Sequence, residues 1–560
     1  MKKTLIGVLL AIVLLFAVGL FFFSTDSKNP YTETEWGKFT GTCASEEVPK
    51  NNFGKNFHSC DYSVPKEEIP VFESVSFPFQ NVFDNNKSLP IMGSAMIDID
   101  NDGVDEVFVS GGVTQEDAIF KYENGGFKDI SAMVKLPKKP VNTTTYGAAS
   151  FDMDNDGNID LFLAGDYGVI WLKNKGGVFT LTNLNVPLND KSVPLSITIG
   201  DVNRDGHADI FVSNYIKISE MEGQTIFKDF TYGSSSLMMM NNGDDTFFDA
   251  TQDLGLTYIH NTFSAVLVDL DNDGFLDLVV AYDTGEVRTY KNNGGKSYKM
   301  IENPITGKYA YPMGIAVGDY NNDGNIDLFF SNTGSSVPTF LARGDLAKDD
   351  EYISDWILFR NDGNFNFTDV AVETKVSNFE FSWGAIFEDF NLDGLQDLVV
   401  AENYVDFPPH KLFKLPGRFL IQRKDGTFSA VEDQAKAINK NYAITPLSSD
   451  FNQDGYPDLI FVNLNGKIKA LINKGGEANF LAVRLHENVE NVGARIQVNK
   501  NDGTILSDSY ILGEGLASDQ TSTVTFGLGN ITSVKSIVIN YINGNTHTIN
   551  NPEINKVHRL

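Results

Sequence analysis

The amino-acid sequence predicts an all-β fold made of seven repeated four-stranded sheets closed into a ring. Three observations predict it. The 560 residues, 42% of them hydrophobic, exceed what one simple core serves, which points to several domains or a large repeat array. Forty-nine glycines against 19 prolines, together with 42 phenylalanines, describe many tight turns joining aromatic-rich strands. One acidic loop then recurs seven times, at a mean spacing of about 59 residues, each time between two short apolar runs.

The chain begins with Lys2 and Lys3 ahead of an apolar run from Leu5 to Phe23. At about 1.5 Å per residue that run nearly spans a hydrocarbon layer of ~30 Å. Residues 1–24 therefore read as a signal peptide or signal anchor, with the two lysines cytoplasmic and everything after Ser24 exported. The run ends in Phe21, Phe22, Phe23 and Ser24 without a small-x-small cleavage signal, which favours an uncleaved transmembrane anchor, and no cysteine follows to carry a lipid. Residues 25–69 form a polar linker holding the only two cysteines, Cys43 and Cys60. In an oxidising compartment this pair is expected to close a disulfide worth roughly 3 kcal/mol.

Residues 70–477 hold the repeats. The loops start at Asp98, Asp152, Asp201, Asp269, Asp319, Asp389 and Asp450. Their third positions are Asp100, Asp154, Asn203, Asp271, Asn321, Asn391 and Asn452, and their fifth are Asp102, Asp156, Asp205, Asp273, Asp323, Asp393 and Asp454. The sixth is always glycine, free to reverse the backbone. The ninth is Glu106, Asp160, Asp209, Asp277, Asp327, Asp397 or Asp458. The seventh shares no side chain and is expected to bind through its carbonyl. A single such loop would read as an acidic surface turn, whereas seven in register read as ion grips. Hard oxygen donors without sulfur or imidazole select calcium, up to seven ions, over zinc or copper, and magnesium prefers to retain water. An EF-hand would need glutamate at position twelve, where every loop here is apolar, from Val109 to Phe461. The loops at Asp98, Asp152 and Asp269 carry four carboxylates and are expected to bind more tightly than the three-carboxylate loops, while Arg204 is expected to weaken the third.

The apolar runs after the loops, such as Leu278 to Ala281, read as strands buried on both faces. Before each loop stands a large apolar residue followed by a small one: Met92–Gly93, Tyr146–Gly147, Leu195–Ser196, Phe263–Ser264, Met313–Gly314, Trp383–Gly384 and Ile444–Thr445. Recurrent small residues fit a point where inner strands crowd together. Hairpin signals such as Asn124–Gly125 and Asp425–Gly426 close a third strand, and an aromatic such as Phe127 or Phe428 opens a fourth. Four strands in seven repeats describe a seven-bladed β-propeller, with a solenoid as the alternative. The last repeat lacks a fourth strand, and Val71 to Phe83 is expected to supply it and lock the ring.

The large–small pair, DxDxDG and buried strand resemble the FG-GAP or VCBS-type calcium repeats of integrin alpha subunits and exported bacterial proteins, over residues 91–476. The segment 479–560, within a C-terminal β-domain of residues 478–560, resembles the ASPIC/UnbV domain of cartilage acidic protein relatives. The residues that carry it are Asn491, Gly493, Ala494, Gly513, Gly515, Ser518 and Phe526 to Gly529. Tyr541 to Gly544 departs from the family's usual Trp and Pro before Gly.

With 74 acidic against 44 basic residues the chain has a formal charge of -30, which excludes nucleic acid as a natural partner. No HExxH or GxSxG motif assigns a catalytic residue, and the string Gly294, Gly295, Lys296, Ser297 lacks the first glycine of a phosphate loop. Three long connections on the side away from the acidic loops, Tyr215 to Ser236, Thr333 to Asp355 and Tyr404 to Gly417, carry Phe227, Phe230, Tyr232, Phe340, Tyr352, Phe407, His410 and Phe413. These aromatics either form a recognition rim or plug the loops. The sequence thus predicts a calcium-stabilised module at the cell envelope, secreted if the leader is cleaved, binding an extracellular or periplasmic protein or glycan. A polysaccharide lyase or hydrolase and an envelope scaffold are the alternatives.

Overall fold

The computed structural model describes residues 64–84, 86–221, 233–334, 346, 349–377, 379–403 and 415–560. The N-terminal apolar run, Cys43, Cys60 and seven of the eight long-loop aromatics and histidine lie outside the described residues. Among the described residues no helix is long and apolar enough to cross a membrane.

The protein is all-β and built of propeller-like repeats. Every acidic loop joins the first two strands of its own antiparallel sheet, as in Thr145–Phe151, Asp160–Gly165, Gly168–Asn174 and Phe179–Leu184. The expected turns close the third strands: Asn124 and Gly125 both take left-handed backbone, at φ 53° and 81°. The last sheet consists of Tyr442–Ser449, Asp458–Leu464, Lys469–Asn473 and, as the sequence suggested, Phe72–Val75, which pairs residue for residue with Ala470–Asn473. Phe72 locks this junction by packing edge-on against Phe390 and Phe419. First strands touch in chain order from sheet to sheet, and Tyr442–Ser449 returns to touch Ser94–Ile97.

The large–small pair has a structural cause that its pattern only hinted at. Pairing of the first and second strands skips Tyr146, Leu195, Phe263 and Ile444, so each is the extra residue of a β-bulge. A bulge bends the strand and re-aims one side chain. All seven large residues gather in one apolar cluster with Leu516 and Ala517. The small partners mark backbone contact: a Cβ on Gly147 would fall 2.1 Å from the Leu195 carbonyl oxygen, and one on Gly93 would fall 2.8 Å from the Gly147 backbone.

The C-terminal residues form a three-stranded sheet, with Asn479–Arg484 between Thr523–Gly529 and Val557–Arg559, and a four-stranded sheet containing Arg495–Lys500 and Val534–Asn540. Between strands Ile505–Ser509 and Thr523–Gly529 the chain leaves this domain and enters the hub where the first strands converge. There Ser518–Asp519 pairs in parallel with Ser94–Ala95. Ala517 O accepts from Ala148 N at 3.4 Å, Leu512 O from Thr198 Oγ1 at 2.8 Å, and Gly515 exchanges bonds of 3.0 and 2.8 Å with Ile315. Glu514 accepts from Val317 N, and Gln520 from Ser448 N. Gly513, at φ 87°, sits where a Cβ would come 3.2 Å from the Ala265 carbonyl oxygen. One short segment thereby fills the hub.

Candidate metal centre

Each acidic loop is held by its own carboxylates. The first aspartate accepts the fifth residue's N–H at one oxygen and the glycine N–H at the other, at 3.0 and 2.8 Å for Asp98 and at 3.0 and 2.7 Å for Asp450. The fifth aspartate accepts the N–H of the seventh residue, 2.9 Å from Asp102 to Val104 and 2.9 Å from Asp454 to Tyr456. The fourth residue takes left-handed backbone throughout. Asparagine does so readily in Asn101, Asn155, Asn272 and Asn322, whereas Arg204, Leu392 and Gln453 bear a steric cost. Apart from Arg204, sequence reading passed over this fourth position, although its asparagines were a visible signal.

The ninth carboxylate, read as an ion ligand, also ties the loop to the third strand. Asp160 accepts from Asn174 N at 2.7 Å and from Trp171 Nε1 at 2.8 Å, and Asp458 accepts from Asn473 N at 2.7 Å. Burial pushes every ninth carboxyl up: Glu106 and Asp160 to about 7, Asp209, Asp277 and Asp458 to about 8, and Asp327 and Asp397 well above the ordinary range. Buried carboxyls strained in this way gain from a cation that neutralises them.

All the sequence-predicted ligand residues fall within these loops. Acidic ligand atoms come within 4.8 Å of one another in Asp98–Asp100–Glu106, in Asp152–Asp154–Asp160 and in Asp269–Asp271–Asp273. The loops at Asp201, Asp319, Asp389 and Asp450 place an asparagine third, whose amide donates to the fifth aspartate, as from Asn203 to Asp205 at 2.8 Å and from Asn321 to Asp323 at 2.9 Å. The donor set is oxygen throughout and fits a hard divalent cation.

Two further groups of residues went unread. The last residue of most third strands is an asparagine or glutamine whose amide reaches the loop of the preceding sheet. Asn174 donates to Ile99 O and Ile159 O, Asn292 to Val202 O and Leu276 O, and Asn473 to Phe390 O and Pro457 O, all at 2.8 to 3.1 Å. Their recurrence just before the hairpin turn was the available signal.

The second group is the C-terminal domain, which lies over the acidic-loop face. Arg484 pairs with Asp105 at 2.6 Å and reaches Asp98 at 3.4 Å. Against the upward push of burial, that guanidinium holds Asp105 below the usual carboxylate range. His486 Nε2 sits 3.0 Å from Asp152, Ser507 bonds Asp319, and Gly527 N donates to Asp389 at 3.1 Å. Arg204, expected only to weaken the third loop, bonds the Ile542 carbonyl and stacks on Phe275. Arg495 bonds Asn272, and Tyr456 exchanges bonds with Ala478 at 3.2 and 2.8 Å.

Family models agree with this division. An FG-GAP-like repeat matches residues 98–163, 152–212 and 269–330, and an ASPIC and UnbV model matches 485–560. Cartilage acidic protein 1 of Xenopus tropicalis is 23% identical over 353 residues, which cover 58% of this chain and 50% of that protein. The Homo sapiens protein is 24% identical over 350 residues, covering 58% of this chain and 49% of its own. The chain thus spans about half the length of the curated relatives it matches. Among solved structures, the V. cholerae biofilm matrix protein Bap1 shares 12% identity over 81% of this chain and 98% of its own, with a TM-score of 0.37. An Agrocybe aegerita protein that recognises non-reducing terminal N-acetylglucosamine shares 16% identity over 62% and 83%, with a TM-score of 0.35. The chain carries FG-GAP-like repeats and an ASPIC/UnbV domain and is homologous to cartilage acidic protein 1.

Proposed function

We propose that this protein is an exported, membrane-anchored binding or adhesion module of the cell envelope, in which seven sheets close as the blades of a β-propeller around up to seven calcium ions. Calcium would be held by the first, third, fifth and ninth side chains of each loop and by the carbonyl of the seventh. It would supply charge neutralisation that the buried carboxyls otherwise lack. The observation that carries the reading is the cover over the loops. Arg484, His486, Ser507 and Gly527 bond the first aspartates of four loops or a neighbouring carboxylate, which suits a structural ion better than one that meets substrate.

Binding is favoured over turnover because residues 512–520 fill the hub and the acids they bring, half-buried Glu514 and buried Asp519, accept backbone N–H bonds from Val317, Ser150 and Gly513. Partner recognition then falls to the side of the long connections, for an extracellular or periplasmic protein or glycan. Tyr352 there bonds Thr333 Oγ1 at 2.9 Å and packs edge-on against Tyr311, so this one aromatic anchors its own loop. The test is a glycan and protein binding screen of the full chain with calcium and with chelator. Specific capture without product supports the reading, and release of cleaved glycan overturns it.

A further inference from the structure

The loops with four carboxylates differ from the others in the strand beside them. In the seven sheets, Val107, Leu161, Ile210, Leu278, Leu328, Leu398 and Leu459 of the second strand pair with Phe120, Leu172, Met239, Tyr290, Phe359, Leu420 and Leu471 of the third. The next residue is Lys121, Lys173, Met240, Lys291, Arg360, Ile421 and Ile472 in turn. Lysine stands beside Asp100, Asp154 and Asp271, and beside none of Asn203, Asn321, Asn391 and Asn452.

The side chains meet as this register implies. The Lys121 ammonium lies 3.0 Å from Asp100, 2.9 Å from Asp102 and 2.5 Å from Glu106, the third, fifth and ninth residues of its loop. Lys291 bonds Asp271 and lies 2.8 Å from Asp273. Lys173 lies 3.5 Å from Asp154 and 2.6 Å from Asp245 of the next sheet's hairpin. Arg360 turns away to Asp362 at 2.8 Å and Glu373 at 3.4 Å.

We propose that Lys121, Lys173 and Lys291 are built-in cations that take the place of the divalent ion in these three loops, so that tight calcium binding belongs to the loops at Asp201, Asp319, Asp389 and Asp450. The inference rests on the calcium reading and reverses the order that carboxylate counting gives. One ammonium brings a four-carboxylate loop to the same net charge as a three-carboxylate loop. Lys121 and Lys291 also hold the third and fifth carboxylates that calcium would need at about 2.3–2.6 Å, while Lys173 reaches the third alone. An ion can enter only by displacing a positive charge tethered to the adjacent strand, whereas Met240, Ile421 and Ile472 put no cation at that third-strand position.

The experiment is calcium titration calorimetry and equilibrium dialysis on the metal-stripped full chain, compared with K121M, K173M, K291M and the triple variant. Wild type is expected to bind about four ions tightly, and each substitution is expected to add one site or tighten one by about tenfold. Lys121→Met with Asp100→Asn recreates the Asn203 and Met240 pairing already present in the chain, which gives a second variant should the single one fail to fold. Seven equivalent sites in wild type, unchanged in the variants, would overturn the proposal and leave the calcium reading intact. No binding in any form would overturn the calcium reading itself.

Discussion

The two sides of the repeated sheets have been finished differently. On the acidic-loop side the chain supplies its own cover, and the charges at the seam are paired across it, as Arg484 with Asp105 and Asp98. On the other side long connections join the second and third strands of three of the sheets. At the root of one of these, Arg418 lies between Glu402 at 3.0 Å and Glu432 at 2.8 Å, all three fully buried and joining two strands of one sheet to the turn that follows its last strand. Both sides bury ion pairs, but one set joins two domains and the other braces one sheet. On our functional reading the ion sites therefore belong to the internal architecture, and contact with other molecules falls to the far side.

The largest test of this contrast is metal removal. Binding at a hundred times the dissociation constant contributes about 2.7 kcal/mol per site, so losing four sites removes roughly 10 kcal/mol, comparable to the stability of an ordinary domain. Chelator is expected to lower the melting temperature followed by circular dichroism further than any substitution below, and an unchanged melt would refute the structural role of the ions. Next come the buried arginines. Arg484→Met and Arg418→Met should each cost about 3–5 kcal/mol by leaving carboxylates uncompensated. Only Arg484→Met should also expose the hub segment around Leu512 to limited proteolysis.

The third test is pH. Folded-state values of about 7 to 8 at Glu106, Asp160, Asp209, Asp277 and Asp458, against unfolded values near 4, mean that the metal-free fold binds protons more tightly than the unfolded chain. That stability is fully present below pH ~4 and is lost as pH rises through about 7 to 8. In chelator the melting temperature should fall by at least ~3 °C between pH 5.5 and 8, and calcium should shrink the fall without abolishing it, because Glu388, Glu432 and Glu487, outside the loops, are also pushed up to about 8. A chelated protein that is most stable at pH 8 would contradict it. The smallest effect is expected at a link between neighbouring sheets: Asn174→Ala removes two buried bonds and should cost about 1–3 kcal/mol without changing calcium stoichiometry.

Much of this was legible because repetition multiplies a weak signal. One DxDxDG turn says little, but seven in register pointed to the strand order, the recurrence of the acidic loops and the source of the closing strand at Phe72–Val75. The large–small pair was visible as a pattern, while the bulge that turns Tyr146 or Leu195 into the hub depends on pairing across strands, which no local window contains. The C-terminal domain was recognised through Gly513, Gly515 and Ser518, yet their purpose lay in contacts hundreds of residues away, such as Thr198 with Leu512. The lysines of the third strands were passed over for the same reason. Each is an unremarkable surface residue until register sets it beside an aspartate.

The pairing of Phe72–Val75 with Ala470–Asn473 has a consequence for how the molecule comes into being. Until the seventh repeat has been made, the earliest strand has no mate and the growing sheets keep an open edge, the kind of surface that recruits other chains. Joining ends some four hundred residues apart carries an entropic toll that rises only slowly with length. The delay, more than the toll, is the hazard: this protein spends most of its synthesis unable to finish, and loss of either Phe72–Val75 or Ala470–Asn473 leaves it permanently unzipped.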